Sequence, residues 1–418
     1  MKFLIQKFVR DYHIITISAF LAVTFMFSSC NDDKPADNSK NVIKIGALIP
    51  ITGSGSSTGE SMLEAIKYSI AEQNELLINQ PLFELFPYDT ETNPQKALDI
   101  LKTFKSMGIT FVVGPYSSAE LEFIKDYAND NNIVLLSPSS VSISLAIAKD
   151  NVFRLATNDY HQVTAISKYF ETQMLKKVVA VNRNDVWGNS LYTAVNEKSQ
   201  SSDYQLTNQI QYNTDLNDFS LLSADIENKI ISNINNDNFD DIAVYLACFN
   251  EGTEILAKSS GKENSEKVRW LGTSAYALNS TILTNNTAFD FAVKTNLTCP
   301  VYAPDESYNS VLAPVQSYLK SKIGREPESY AYTAYDAAKI AINSAYQIRI
   351  NPSLKPADAV IQYCNSNSGI TGTLELDEFG DRKAGNYNFW QLRKVDSKNE
   401  WFIKYIYSSK TDELIEIQ

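Results

Sequence analysis

The sequence predicts an α/β chain of two lobes, each a doubly wound parallel sheet. Three observations carry that expectation. From Val42 onward, short β-type runs alternate with segments of helical period, the rhythm of βαβ units. The rhythm starts again after Asp159, giving two consecutive sets. At 418 residues the chain is also longer than one typical domain.

Each element can be justified in turn. VIKIGALI (Val42–Ile49) is an unbroken apolar run, as a strand covered on both faces requires. A Gly/Ser-rich turn follows, and then Met62, Ala65, Ile66, Ser69 and Ile70 recur at helical spacing. FELFPYD (Phe83–Asp89) predicts a second strand, and Ala97, Leu101 and Phe104 share one face of the next helix. The strand ITFVVG (Ile109–Gly114), a helix over 118–129 and the strand NIVLLS (Asn132–Ser137) complete the first set. In the second set a helix over 163–170 leads into KVVAVN (Lys177–Asn182), and another helix begins near Gly188. YQLTNQIQY (Tyr204–Tyr212), a helix over 221–231, DIAVYLA (Asp241–Ala247), a helix over 253–260 and VRWLG (Val268–Gly272) finish it.

Composition narrows the function. Hydrophobic residues at 44% and charged residues at 21% are values of a globular chain with sizeable cores. A net charge of −12 argues against a nucleic-acid partner, which calls for clustered Lys and Arg. Neither GxxxxGK[ST] nor GxGxxG occurs, and the turn Gly53-Ser54-Gly55-Ser56-Ser57-Thr58-Gly59 fits neither spacing, so no nucleotide cofactor is expected. No His/Cys/carboxylate cluster has the spacing of metal ligands. His161 is the one histidine beyond the N-terminal segment, which leaves little scope for a Ser-His-Asp arrangement. The expectation is a protein that binds rather than catalyses, without metal or cofactor.

The N-terminus predicts export. Lys2, Lys7 and Arg10 precede the apolar stretch IITISAFLAVTFMF (Ile14–Phe27), which is shorter than the ~20 residues of a membrane-spanning helix. Ser28-Ser29-Cys30 follows and resembles a bacterial lipobox, although Phe27 stands where Leu is usual. This predicts a signal peptide over 1–29, lipidation of Cys30, and a polar tether over 30–41 holding the protein to a membrane of the cell envelope. An ordinary signal peptide with an incidental Cys is the alternative. Cys248, Cys299 and Cys364 cannot all pair; Cys248, inside an apolar run, reads as a buried thiol, and a Cys299–Cys364 bond is left open.

These segments resemble the branched-chain amino-acid (Leu/Ile/Val) type of periplasmic binding protein, the receptor component of ABC importers. IKIGALIPITGSGSSTGESM, YDTETNPQKALDILKTF, VVGPYSSAE, VLLSPSSVS, VFRLATND, RNDVWGNSL, EPESYAYTAYDAAKIA and GITGTLELDEFGDR resemble the family's blocks in order, from about Ile43 to Lys394. The resemblance implies a type I periplasmic-binding-protein fold whose lobes are joined by a multi-strand hinge. Crossings would lie near 157–159, 299–302 and 388–390. Lobe one would hold 42–158 and 301–388, and lobe two 159–300 and 389–418. It further implies a monomer that closes on a small-molecule ligand and delivers it to an ABC permease, or that presents the ligand to a membrane sensor.

The resemblance also implies where the ligand sits. Ser118, opening a helix after Gly114-Pro115-Tyr116-Ser117, matches the hydroxyl that holds a substrate carboxylate, and unpaired amides there suit an anion. The competing reading is that Ser117 and Glu120 form a capping box and Ser118 is filler; both can hold. Ser139 and Ser140 end the next strand beside the same pocket, with the Ser139 amide facing it. Val141 stands where the family has a Thr, so Ser142 is the hydroxyl that could substitute. The family's ammonium-binding acid falls at Ser274, and its aromatic position after DIAVYLA at Cys248, followed by Phe249. Trp187 is the expected lid from lobe two, with a core role as the alternative. Thr58 lies in the Gly-rich turn. Asp159, at the crossing, either takes an ammonium or caps the following helix, the cap being favoured. Arg154 reads as a structural salt-bridge partner, and Tyr332, Tyr335 and Asp336 as packing of one helix. With neutral residues at 141 and 274, common aliphatic amino acids are expected to bind weakly.

Overall fold

The computed structural model describes residues 42–76, 82–235, 238–383 and 385–417. The signal-peptide segment, Cys30 and the whole tether lie outside them.

The first sheet is parallel throughout. Its strands are β1 (Val42–Ile49), β2 (Leu82–Asp89), β3 (Phe111–Val113), β4 (Val134–Ser137) and β5 (Val152–Arg154), in the order β2-β1-β3-β4-β5. The second comprises β6 (Lys177–Arg183), β7 (Gln205–Tyr212), β8 (Ile242–Ala247) and β9 (Arg269–Leu271), ordered β7-β6-β8-β9 and again parallel. In both, the chain starts inside the sheet and reverses its winding direction, which puts helices on both faces. β1, β6 and β8 are the apolar runs expected of strands buried on both sides, with only the starts of β1 and β6 partly exposed.

Helices α1 (Ser56–Leu76), α2 (Pro94–Ser106) and α3 (Ser118–Asp130) connect the first strands. α4 (Asp159–Thr172) leads into the second set, where α5 (Val186–Ser199), α6 (Ser220–Asn233), α7 (Gly252–Ser259) and α8 (Asn286–Lys294) continue it. After β10 (Cys299–Ala303) come α9 (Asn309–Ile323), α10 (Ser329–Ile350) and α11 (Pro356–Ser366). α10 returns to the first sheet and packs against α1, β3 and β4. Tyr335 and Asp336 on its length do structural work, as expected. The Tyr335 hydroxyl reaches Glu72 of α1, while the Asp336 carboxylate accepts the amides of Ile370 and Thr371.

A third sheet is the main feature beyond the sequence reading. After the short pair β11 (Ser368–Gly369) and β12 (Gly372–Thr373), the chain forms β13 (Asn386–Val395), β14 (Lys398–Ser408) and β15 (Glu413–Glu416). Together with β10 these make an antiparallel sheet ordered β10-β13-β14-β15. β13 and β14 join through Asp396 and Ser397, both at positive φ (47° and 67°), the conformation of a tight hairpin turn. Cys299 faces Trp390 and Ala303 faces Asn386 in the β10–β13 ladder. The two late segments at which the sequence predicts crossings are therefore hydrogen-bonded to each other. Cys299 and Cys364 are separate buried thiols, as is Cys248.

The entry to α1 is set by close backbone approach. A Cβ at Gly59 would lie 1.9 Å from the Pro50 carbonyl oxygen, on the loop that leaves β1. Gly59→Ala is expected to destabilise the protein by about 1–3 kcal/mol or more through overpacking, read from its urea-unfolding midpoint. An unchanged midpoint would show that this loop yields freely.

Candidate functional site

The site begins with a helix cap. Ser117 precedes α3 in extended conformation and its hydroxyl accepts the Glu120 amide (3.2 Å). The Glu120 carboxylate accepts the Ser117 amide (2.9 Å) and hydroxyl (2.7 Å), closing a capping box. The cap reading and the ligand reading thus coexist. Because Ser117 does the capping, Ser118 is released from it. Its buried oxygen accepts the Ser142 amide (3.2 Å), which leaves its own hydroxyl hydrogen to donate.

The loop after β4 lies beside it. Ser137 donates to the Pro115 carbonyl (2.8 Å) and Ser139 to the Tyr116 carbonyl (2.8 Å), so this loop is sewn to the one that opens α3. Ser140 points to the same Tyr116 carbonyl (3.3 Å). Ser142 does not take the place of the missing Thr. Its hydroxyl pairs with Ser144 (2.9 Å), its amide is held by Ser118, and Val141 lines the cavity instead.

From the other lobe comes an aromatic wall. Asp185 caps α5 by accepting the Gly188 amide (2.8 Å) and so places Trp187 in the first turn. Trp187 stacks on Phe249, ring centroids 5.1 Å apart and planes 25° from parallel. The Arg183 guanidinium lies 4.0 Å from the Phe249 centroid. Arg183 is itself held by Asp185 and Glu251, and Glu251 also accepts the Phe249 amide (3.1 Å). Tyr116, from lobe one, meets the same ring at 5.5 Å.

These groups enclose one cavity, lined by Tyr116, Ser117, Ser118, Ser139 and Val141 on one side and Trp187, Phe249, Ser274 and Ala275 on the other, with Tyr330 of α10. Its free volume is about 10 Å³, space for a single water. The lobes touch directly around it. The Asn250 amide reaches the Ser54 carbonyl (3.1 Å), its side chain reaches Ser56 (3.0 Å), and the Ser280 amide reaches Ser57 (2.9 Å). This is a closed clamp.

Of the residues singled out from the sequence, Ser118, Ser139, Trp187, Phe249 and Ser274 line this cavity. Ser140, Ser142, Thr58, Cys248 and Asp159 do not line the cavity. Thr58 is buried in the first turn of α1, where its carbonyl accepts the Ser61 hydroxyl (3.0 Å). Cys248 turns toward Gly252 and Tyr276, and Phe249 takes the aromatic place. Tyr116 and Tyr330 were not singled out. With 23 tyrosines no single one stands apart, and only their places beside Ser117 and at the start of a helix hinted at a role. Gly55-Ser56-Ser57-Thr58-Gly59 also spells Gly-x-Ser-x-Gly, but the Ser57 hydroxyl accepts the Ser280 amide and lies near Glu328 rather than a histidine.

Asp159 corrects a second reading. The cap of α4 is Asn158, whose side chain accepts the Tyr160 amide (3.1 Å). Asp159 is left buried directly behind the cavity, with one oxygen on Gln162 and the other without a hydrogen-bond partner. Gln162 in turn accepts the Ser274 amide (2.9 Å), linking Asp159 to the cavity wall. Burial pushes the Asp159 pKa up to about 7, against the lowering pull of Gln162, Arg154 and Trp187. Among the described residues no group of three or more His, Cys, Asp or Glu side chains could hold a metal ion.

Known proteins agree with this architecture. A family model described as periplasmic binding protein matches residues 42–231. Over those residues the chain resembles the periplasmic binding proteins. An uncharacterized protein of Methanocaldococcus jannaschii is 25% identical over 396 residues, 90% of this chain and 92% of that one. A Leu/Ile/Val-binding protein homolog of Brucella abortus is 21% identical over 366 residues, 87% of this chain and 94% of that one. A solute-binding protein of an ABC transporter from R. palustris, solved with benzoate, superposes with a TM-score of 0.70 at 14% identity, covering 87% of this chain and 96% of that one. The chain therefore has the type I periplasmic-binding fold, and the named proteins it resembles are solute-binding proteins.

A stability prediction follows from Asp159. Its folded-state pKa of about 7 lies above the ordinary 3.8, so between those values the folded chain holds the extra proton. Stability contributed by that proton is full below pH 3.8 and is lost as pH rises through about 7. Asp150, pushed by burial to about 6, adds to the same slope. Asp159→Asn is expected to raise the melting temperature at pH 8 more than at pH 5. An equal change at both would show that Asp159 is ionised throughout.

Proposed function

We propose that this protein is a lipid-anchored receptor that captures a small carboxylate-bearing solute between its lobes and delivers it to an ABC permease. The observation that carries the ligand class is the arrangement at the start of α3. A hydroxyl freed from capping duty, Ser118, sits where the first-turn amides of a 13-residue helix are aimed, beside Ser139. That end of the cavity offers donors, and no side chain lining it is charged.

The body of the solute meets Tyr116, Trp187, Phe249 and Tyr330, a surface suited to an apolar or planar group. Ser274 supplies no negative charge for an α-ammonium. Asp159, a buried acid linked to Ser274 through Gln162, stands behind the wall, and burial raises its pKa to about 7. The R. palustris protein solved with benzoate shows that this fold accommodates aromatic acids as well as amino acids. Entry requires opening the lobes, since the closed cavity holds only about one water. The three crossings near 157–159, 299–302 and 388–390 serve as the hinge, with the lobe assignment given from sequence. The anchor rests on the N-terminal sequence: Cys30 after an apolar stretch and Ser28-Ser29. Cys30→Ser should move the mature protein from the membrane to the soluble fraction, and persistent membrane attachment would reject the lipid.

A thermal-shift screen of amino acids, organic acids, amides and short peptides tests the ligand class. Organic acids should shift melting more than leucine or valine, and a large shift with leucine would contradict this reading. Ser118→Ala should weaken a bound carboxylate by about 1.5–3 kcal/mol in calorimetry, with unchanged affinity sinking the assignment. Affinity for an acid without an ammonium should rise as pH falls through about 7, because protonating Asp159 removes a like charge. An ammonium-bearing ligand would show the opposite slope.

A further inference from the structure

Arg154 was expected to be an ordinary structural partner, and its surroundings show more. Arg154 and Asp381 are each about 1% exposed. Two guanidinium nitrogens, Nε and Nη2, donate to the two oxygens of Asp381. The remaining nitrogen, Nη1, donates to the carbonyls of Ser142 (2.5 Å) and Ser140 (3.5 Å). Both residues are buried; the Ser142 carbonyl also accepts the Leu145 amide (3.3 Å), while the Ser140 carbonyl turns to the guanidinium, and a buried carbonyl left unpaired would be costly. A guanidinium can serve a carboxylate and two carbonyls at once because its five N–H groups are fixed in a planar fork. A lysine ammonium cannot reproduce that geometry.

The pair sits where three segments meet. One is the loop 137–142, which carries Ser139 and Val141 into the cavity and holds Ser118 through the Ser142 amide. The second runs from β5 into α4, where the Asp159 amide reaches the Val141 carbonyl (2.7 Å). The third leads into β13. The Arg154 amide reaches the Gly380 carbonyl (2.9 Å), the Arg382 amide reaches the Arg154 carbonyl (3.0 Å), and the Asn158 side chain reaches Asp381 (3.5 Å). Thr157 and Tyr387 close this junction with a hydroxyl pair at 2.9 Å. The second and third segments are the ones that pass toward the other lobe.

We propose that the Arg154–Asp381 pair is a positioning device that ties the solute-facing loop to the crossing strands, so that loop geometry and lobe movement change as one unit. The proposal rests on reading this loop as part of the solute site. In this scheme Arg154 touches no solute. It acts through the carbonyls of Ser140 and Ser142, and so on the orientation of Ser118.

Amide hydrogen exchange on the mature chain, with no ligand added, tests it. In the unmodified protein the amides of Ser142, Asp159, Arg154 and Arg382 should open with one free energy and one denaturant dependence. Asp381→Asn should speed exchange at Ser142 at least about tenfold while the amides of β1 keep their protection, and Arg154→Lys should do the same although it keeps the charge. The coupling is overturned if Ser142 opens independently of Arg154 and Arg382 in the unmodified protein. It is equally overturned if a folded variant loosens β1 as much as the loop, which is the behaviour of a purely structural pair. Should neither variant fold, the unmodified protein alone decides. Failure of the carboxylate reading would appear in binding measurements and leave these rates unchanged, so the two outcomes are distinct.

Discussion

The capping box of Ser117 and Glu120 is the interaction on which the site depends. A helix that starts in a buried cleft must satisfy its first amides, and the usual solution spends a side chain on the cap. Here Ser117 is spent, with Glu120 buried beneath it and its pKa raised by that burial. The next residue, Ser118, is thereby free to face the cavity with its hydroxyl. The loop after β4 depends on the same start, because Ser137, Ser139 and Ser140 all bond to carbonyls of Pro115 and Tyr116. One helix terminus thus organises both lobe-one edges of the cleft.

The opposite edge is organised by charge. Arg183 is clamped by Asp185 and Glu251, and Phe249 is held between that guanidinium and Trp187. These charges are spent on one another and on the Phe249 amide, so they shape the wall without presenting charge to the cavity. This explains how a site with four aromatic rings can be rigid while its lining stays neutral. It also gives Asp159 its importance, as a buried acid whose second oxygen has no hydrogen-bond partner and whose link to the cavity runs through Gln162 and Ser274.

Much of this was legible in the sequence, for reasons particular elements make plain. β1, β6 and β8 announce themselves as apolar runs because both of their faces are covered, and their order follows from alternation with helices. Ser118, Ser139, Trp187, Phe249 and Ser274 were placed by the resemblance of their segments to the family's blocks, and each follows the carboxyl end of a parallel strand, where ligands of such sheets bind. The hairpin of β13 and β14 was not foreseen. Its alternating pattern is interrupted by a register shift between Phe389 and Trp390, and its partner β10 lies far back in the chain. Ser142 and Asp159 show the other limit. Both are polar residues at the right place, and only the direction of a side chain, decided by Ser144 and Asn158, shows which role each has taken.

The central claim is that Ser118 holds a solute carboxylate inside a closed, aromatic-walled cleft. A crystal structure of the protein with its solute bound tests that most directly. The account predicts a carboxylate oxygen about 2.5–2.8 Å from the Ser118 hydroxyl oxygen, with the rest of the molecule against Trp187 and Phe249. A solute that turns its carboxylate away from α3, or that carries none, would contradict it.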